Sequence, residues 1–303
     1  MTHPQKTVLI AGATGYLGHF LIRAYAEAGY TVRALARSPE KLTRSDLWID
    51  AVFVGEATKP ETLKGCCRDV DLVVSAIGIT RQKDGLTYEA VDYQANSNLL
   101  SEAISAGVKQ FAYVHVLHAE RMPNIAMAKA KSKFADELEN ALIASTILCP
   151  SGFFSDLEEI LQMAERGRVY LFGDGESLIS PIHGADLAKL CVEATEACLP
   201  RVEAGGPDIL TQNQIAKLAF AALGTSSRIS HVPLWLGRAG VGAAKAFCFR
   251  STIGALEFFL AASSLDMSAE PHGSRRLSTH FEKQRARSES TALSLNTDKA
   301  TFQ

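Results

Sequence analysis

An apolar run, Val8, Leu9, Ile10 and Ala11, breaks at Gly12 and is followed by Gly15 and Gly18. No other stretch constrains the fold as strongly. Val8, Leu9 and Ile10 suit a strand buried on both faces, and Leu17, Phe20, Leu21, Ala24 and Tyr25 recur behind them at helical spacing. The glycines mark the join. Gly12 permits a tight turn, Gly15 lets a pyrophosphate approach the backbone, and Gly18 lets the helix pack closely on the strand. The helix N-terminus then faces the phosphates, so the loop residues Thr14, Tyr16 and Leu17 become candidate contacts and no side-chain charge is needed. A second strand pattern at 31–36 completes what a mononucleotide-binding unit requires.

A chain of 303 residues suits one large domain or a domain with an appended lobe. Its formal net charge of -2 argues against a nucleic-acid partner. The six cysteines show no CxxC or Cys/His ligand spacing, so buried free thiols are expected and no metal site. Cys191 and Cys198, seven apart, read as packing positions on one helix face. Residues 1–6 are polar and lack the apolar core of a secretory signal, which predicts a reducing, cytoplasmic setting.

From residue 1 to 150 short apolar runs alternate with helical patterns. After the first two strands come runs at 51–54, 71–76, 110–116 and 145–149, with a long helix at 88–106. Six parallel strands make a doubly wound α/β sheet, whose ligand lies beyond the carboxyl ends of the strands where their order reverses. Ala76, Ile77 and Gly78 end the fourth run with small or apolar residues beside which a ribose can lie, and Glu56 ends the third, either facing an adenine edge or solvated.

Cofactor choice is read at the end of the second strand. An NAD site places a carboxylate there, whereas an NADP site places an arginine. This chain has Arg37 and Ser38, with Lys41 close behind, so Arg37 can grip a 2'-phosphate and NADP(H) is expected over NAD(H).

These residues resemble the atypical short-chain dehydrogenases, in particular the NmrA-like and isoflavone-reductase-like branch. The resemblance is carried by Gly12-Ala13-Thr14-Gly15-Tyr16-Leu17-Gly18, by Val32-Arg33-Ala34-Leu35-Ala36-Arg37 and by Ala106-Gly107-Val108-Lys109-Gln110-Phe111. Later stretches are most similar to divinyl chlorophyllide 8-vinyl reductase-like members: Pro150-Ser151-Gly152-Phe153-Phe154, Leu171-Phe172-Gly173-Asp174-Gly175, Ile182-His183-Gly184-Ala185-Asp186 and Gly205-Gly206-Pro207. The resemblance implies a Rossmann core at 1–150, with Pro150, Gly152 and Phe153 beside the nicotinamide, and a smaller substrate lobe at 151–282.

Typical short-chain dehydrogenases use a serine after the fifth strand and a Tyr-x-x-x-Lys pair, in which the lysine lowers the phenol pKa and the phenol donates a proton. Lys131 fits the lysine position, where it would contact the nicotinamide ribose. The tyrosine position holds Met127 and the serine position holds His115. Three readings stay open. Hydride can go to a conjugated double bond of an apolar small molecule, where a dedicated acid matters less. His115 can replace the acid, with Lys131 as alternative and His118 behind them. Chemistry can also have been lost, leaving a redox sensor or regulatory protein that binds NADP(H) without catalysis.

In the C-terminal part, Asp186 and His183 read as caps or braces of a helix at 185–197, and Thr211 and Gly224 bracket another at 212–223. The apolar stretch 232–265 is interrupted by Arg238, Lys245, Arg250 and Glu257, too often for a membrane span. It suits core packing, peripheral contact with a bilayer or cover for an apolar substrate mouth. After residue 282 the chain turns polar and loses periodicity, which predicts a disordered tail at 283–303.

Overall fold

The computed structural model describes residues 5–42, 48–79, 85–246 and 250–300. The apolar runs form β1 (Thr7–Ala11), then α1 (Tyr16–Glu27), β2 (Thr31–Ala36), β3 (Ala51–Val54) and β4 (Leu72–Ser75). A π-helical turn at Glu89–Gln94 leads into α2 (Ala95–Ser105), followed by β5 (Gln110–Val114), α3 (Ala126–Glu139) and β6 (Ala144–Pro150). Next come α4 (Phe154–Glu165), β7 (Val169–Phe172), β8 (Leu178–Ile179), α5 (Gly184–Glu196) and β9 (Arg201–Ala204). The chain closes with β10 (Leu210–Thr211), α6 (Gln212–Leu223), β11 (Ile229–Val232), α7 (Leu234–Ala246), α8 (Arg250–Ala262) and α9 (Leu277–Ala300).

The central sheet has the order β3-β2-β1-β4-β5-β6-β9, all parallel. Strand β1 pairs with β2 on one side and β4 on the other, so the order reverses at the glycine loop. Burial on both faces explains the continuous apolar run of β1. Val8 and Ile10 pack with Leu21 and Tyr25 of α1 and Leu187 of α5, while Leu9 and Ala11 pack with Leu99 and Ala103 of α2 and Phe134 of α3. This is a doubly wound α/β sheet covered by helices on both faces.

Sequence pattern does not announce the seventh strand. Arg201, Val202, Glu203 and Ala204 form an edge strand exposed at Arg201 and Glu203, so no apolar run betrays it. Cys198 also departs from expectation. Helix α5 ends before it, and Cys198 turns outward with φ at +52°, whereas Cys191 is buried.

A second cluster joins Phe154, Leu161 and Ala164 of α4, Leu171 of β7, and Ile215 and Phe220 of α6. The disordered tail expected at 283–303 is helical as far as it is described: residues 277–300 form α9, and 301–303 lie outside the described residues. Leu277 and Phe281, four apart, are buried in this cluster, and Arg285 pairs with Glu289 at 2.8 Å one turn further on. Tertiary packing thus starts a helix that its polar remainder does not advertise. The apolar stretch 232–265 divides into α7 and α8, and no described helix is long and apolar enough to cross a membrane. Phe247, Cys248 and Phe249, which belong to that stretch, lie outside the described residues.

Candidate active site

The loop between β1 and α1 is closed by the Gly15 N–H, which donates to the Gly12 carbonyl at 2.9 Å. Gly12 adopts φ +80°, and a Cβ there would stand 2.8 Å from the Ala76 carbonyl group. A Cβ on Gly18 would collide with the Gly12 oxygen and the Ala13 backbone. No side chain caps α1, and its first turn carries no acidic residue. The positive end of the helix is therefore left for an anion, which fits a dinucleotide pyrophosphate.

Two cavities meet over this loop, sharing Gly12, Gly15, Ala76, Gly78 and Ile79. The outer one, about 200 Å³, adds Thr14, Arg37, Glu56 and Ile77. Arg37 is exposed at its rim. Glu56 is wired into its own loop: hydrogen bonds from Lys59 and Thr58, at 2.8 and 2.9 Å, hold its carboxyl below the usual range. Ser38 does not line the cavity; its carbonyl accepts from Lys41 in the turn that follows β2, and Lys41 lines a separate groove beside Thr14 and Tyr16.

The inner cavity, about 260 Å³, is lined by Tyr16, Leu17, Gly18, His115, Met127, Lys131, Pro150, Gly152 and Phe153. Lys131 and Met127 stand on α3 one turn apart, and both line the inner cavity. Lys131 Nζ lies 3.2 Å from Asp92 Oδ1 and donates to the Val114 carbonyl at 3.4 Å. Burial alone would push Lys131 down, but Tyr113 and Asp92 beside it hold it above the ordinary lysine value. It stays an ammonium. Asp92, fully buried in the π-helical turn, is raised by burial and pulled back by Lys131, and the Ile79 N–H donates to its Oδ2 at 3.3 Å. Gly78 covers the pair so closely that a Cβ there would lie 2.7 Å from Asp92 Oδ1.

His115 lines the cavity. Burial, with Lys131 and Arg201 adding repulsion, pushes its pKa down to about 3, so the imidazole is neutral at physiological pH. The buried Tyr113 hydroxyl, beside the Lys131 ammonium, is pushed up to about 12 by burial and does not line the cavity. His118 lies outside the cavity, where it faces Glu120 at 3.5 Å. His183 caps α5 by accepting from the Ala185 N–H at 3.1 Å, and Asp186 braces the chain through Arg275.

Beside the inner cavity lies an apolar one of about 410 Å³, lined by Leu157, Ile160, Met163 and Tyr170 and roofed by Leu256, Phe258, Phe259 and Ala262 of α8. Ser151, Gly152, Phe153, Asp156 and Phe258 line both. The Ser151 hydroxyl fixes this shared wall, donating to the Met267 carbonyl at 2.5 Å and accepting from the Ser180 N–H at 3.1 Å. Sequence reasoning passed over two site residues. Asp92 has a signal, since with Asn96 it puts polar side chains four apart on the buried face; Asp156 looks like any acid in the first turn of a helix.

The chain is 28% identical to photosystem II assembly factor Ycf39 of Synechocystis sp. over 232 residues, 75% of this chain and 71% of that protein. It is 26% identical to the chloroplastic divinyl chlorophyllide a 8-vinyl-reductase of Zea mays, covering 76% of this chain and 62% of the reductase. Among solved structures, the NADPH-dependent quinone oxidoreductase QOR2 of Escherichia coli, complexed with NADPH, superposes with a TM-score of 0.75 over 92% of this chain and 99% of that one. At 18% identity that likeness is one of fold. A family model described as NAD(P)H-binding matches residues 12–197, more than half of the chain, and with the glycine loop as found, the chain belongs to the NAD(P)H-binding family.

Proposed function

We propose that this protein is an NADPH-dependent reductase of an apolar, conjugated small molecule. The observation that carries the reading is the shared wall: an apolar cavity large enough for a small organic acceptor lies against the cavity that runs from the glycine loop to Lys131, with five lining residues in common. The glycine loop and the open end of α1 would hold the pyrophosphate, Arg37 the 2'-phosphate, and Lys131, set by Asp92, the nicotinamide ribose. When bound, the dihydronicotinamide supplies a hydride. The apolar walls exclude water from the acceptor. Met127 in place of a phenol favours a conjugated double bond over a simple carbonyl, because the bond takes hydride at carbon and defers the proton. The vinyl-reductase relative supports the same class of acceptor.

Oxidation of bound NADPH by a panel of enones and vinyl tetrapyrroles, followed by nicotinamide absorbance, tests the reading. Arg37→Ala tests the cofactor choice. It is expected to lower the ratio of NADPH to NADH affinity by about tenfold or more, the worth of one charge-assisted contact. An equal ratio in variant and parent would contradict the assignment. The second reading, a redox sensor, is favoured by the same Met127 and by the assembly-factor relative, and it requires tight NADPH binding without oxidation.

A further inference from the structure

Reduction needs a proton as well as a hydride, and none of the residues at the expected positions offers one. Met127 has nothing to give, His115 is held neutral, and Lys131 is engaged with Asp92. Of the described residues that line both cavities, Asp156 is the one with a titratable side chain. We propose, on the strength of the reductase reading, that Asp156 is the proton donor, delivering its carboxyl proton from the wall shared by the two cavities to the acceptor in the apolar one.

Asp156 stands at the third position of α4. Its Oδ2 accepts from the Phe153 N–H at 3.4 Å and its own N–H donates to the Phe153 carbonyl at 3.1 Å, which fixes the side chain at the helix head beside the junction. A helix N-terminus ordinarily favours the carboxylate, but here burial outweighs it and pushes the carboxyl up to about 6, with Glu158 on the same helix adding repulsion. The other groups around it are Tyr16 from α1, whose phenol is raised by burial, Glu159 on α4, neutral His115 just after β5, and the Lys131 ammonium from α3. A carboxylic acid poised near neutrality can both give a proton and regain it.

The atoms balance. The hydride comes from the dihydronicotinamide and forms a carbon–hydrogen bond at one end of the acceptor's double bond, and the displaced π pair moves onto the conjugated group. The Asp156 O–H bond breaks as its proton bonds there, and the carboxylate left behind is reprotonated from solvent. The acceptor gains two electrons and two hydrogens, and the cofactor is oxidised.

Asp156→Asn keeps an oxygen for the Phe153 N–H and removes the proton, so the helix head is retained. In single-turnover oxidation of bound NADPH, the parent rate is expected to fall as pH rises above about 6, because the donor form is lost. The Asn variant is expected to be slower by about 100-fold and to lose that pH dependence. A second readout needs no turnover: carbon-13 NMR of the aspartate carboxyls in cofactor-free protein is expected to show one resonance titrating near 6 that is missing from the variant. An unchanged rate and pH profile in Asp156→Asn, or an Asp156 resonance titrating in the ordinary carboxylate range, would overturn the donor role alone. Parent protein that binds NADPH and oxidises it with no acceptor would overturn the reductase reading, and the donor role with it.

Discussion

Gly18→Ala is expected to cut NADPH affinity by about 1000-fold, close to 4 kcal/mol, with the loss read by titration calorimetry. The added Cβ meets backbone, not a flexible side chain: the Gly12 oxygen and the Ala13 carbon atoms lie where it would go. The turn must open or α1 must move away from β1. Either shift displaces the N–H groups at the head of α1 that the pyrophosphate needs. Gly29→Ala supplies the control. Gly29 has φ +85° with nothing within 4 Å of an added Cβ, so the change costs about 1 kcal/mol of backbone strain and leaves binding alone. Equal affinities in the two variants would remove the glycine loop from the account.

Asp92→Asn is expected to destabilise the fold by about 3 kcal/mol, read by urea denaturation at neutral pH. The substitution preserves shape and an acceptor for the Ile79 N–H, but leaves the Lys131 ammonium without its counter-charge under Gly78. Lys131→Met is expected to cost less, about 1 to 2 kcal/mol, because the stranded carboxyl can take a proton. Burial already raises Asp92, so its neutral form lies within easier reach than a neutral lysine. The order of the two variants is the test. A greater loss in Lys131→Met would mean that packing, not charge, governs the pair.

The sheet was legible because burial on both faces forces apolar side chains into runs, and β1, β2, β4, β5 and β6 all carry them. Strand β9 was not. As an edge strand it exposes Arg201 and Glu203, and Arg201 is held by Glu139 from α3, a partner 62 residues away. The cofactor loop was legible for a related reason, since only backbone geometry is needed there and glycine records it. Charged site residues are harder to read. Glu56 lines the outer cavity but is engaged by Lys59, and the uncharged Ser38 does not line it, its carbonyl being taken up in the turn after β2. His115 was placed but its protonation was not, because the burial and the neighbouring cations that depress it come from β6, β9 and α3. The helix α9 escaped because its anchors Leu277 and Phe281 precede a polar remainder.

The central claim is that bound NADPH passes its hydride to a carbon acceptor in the apolar cavity. The measurement that tests it most directly is transfer of deuterium from NADPH labelled at the donating ring carbon, followed by mass spectrometry of the product in a single turnover with a conjugated enone or vinyl tetrapyrrole. The account predicts one deuterium on product carbon for each NADPH oxidised, with a solvent-derived hydrogen at the neighbouring position. Labelled NADPH that binds tightly and keeps its deuterium with every acceptor would contradict it.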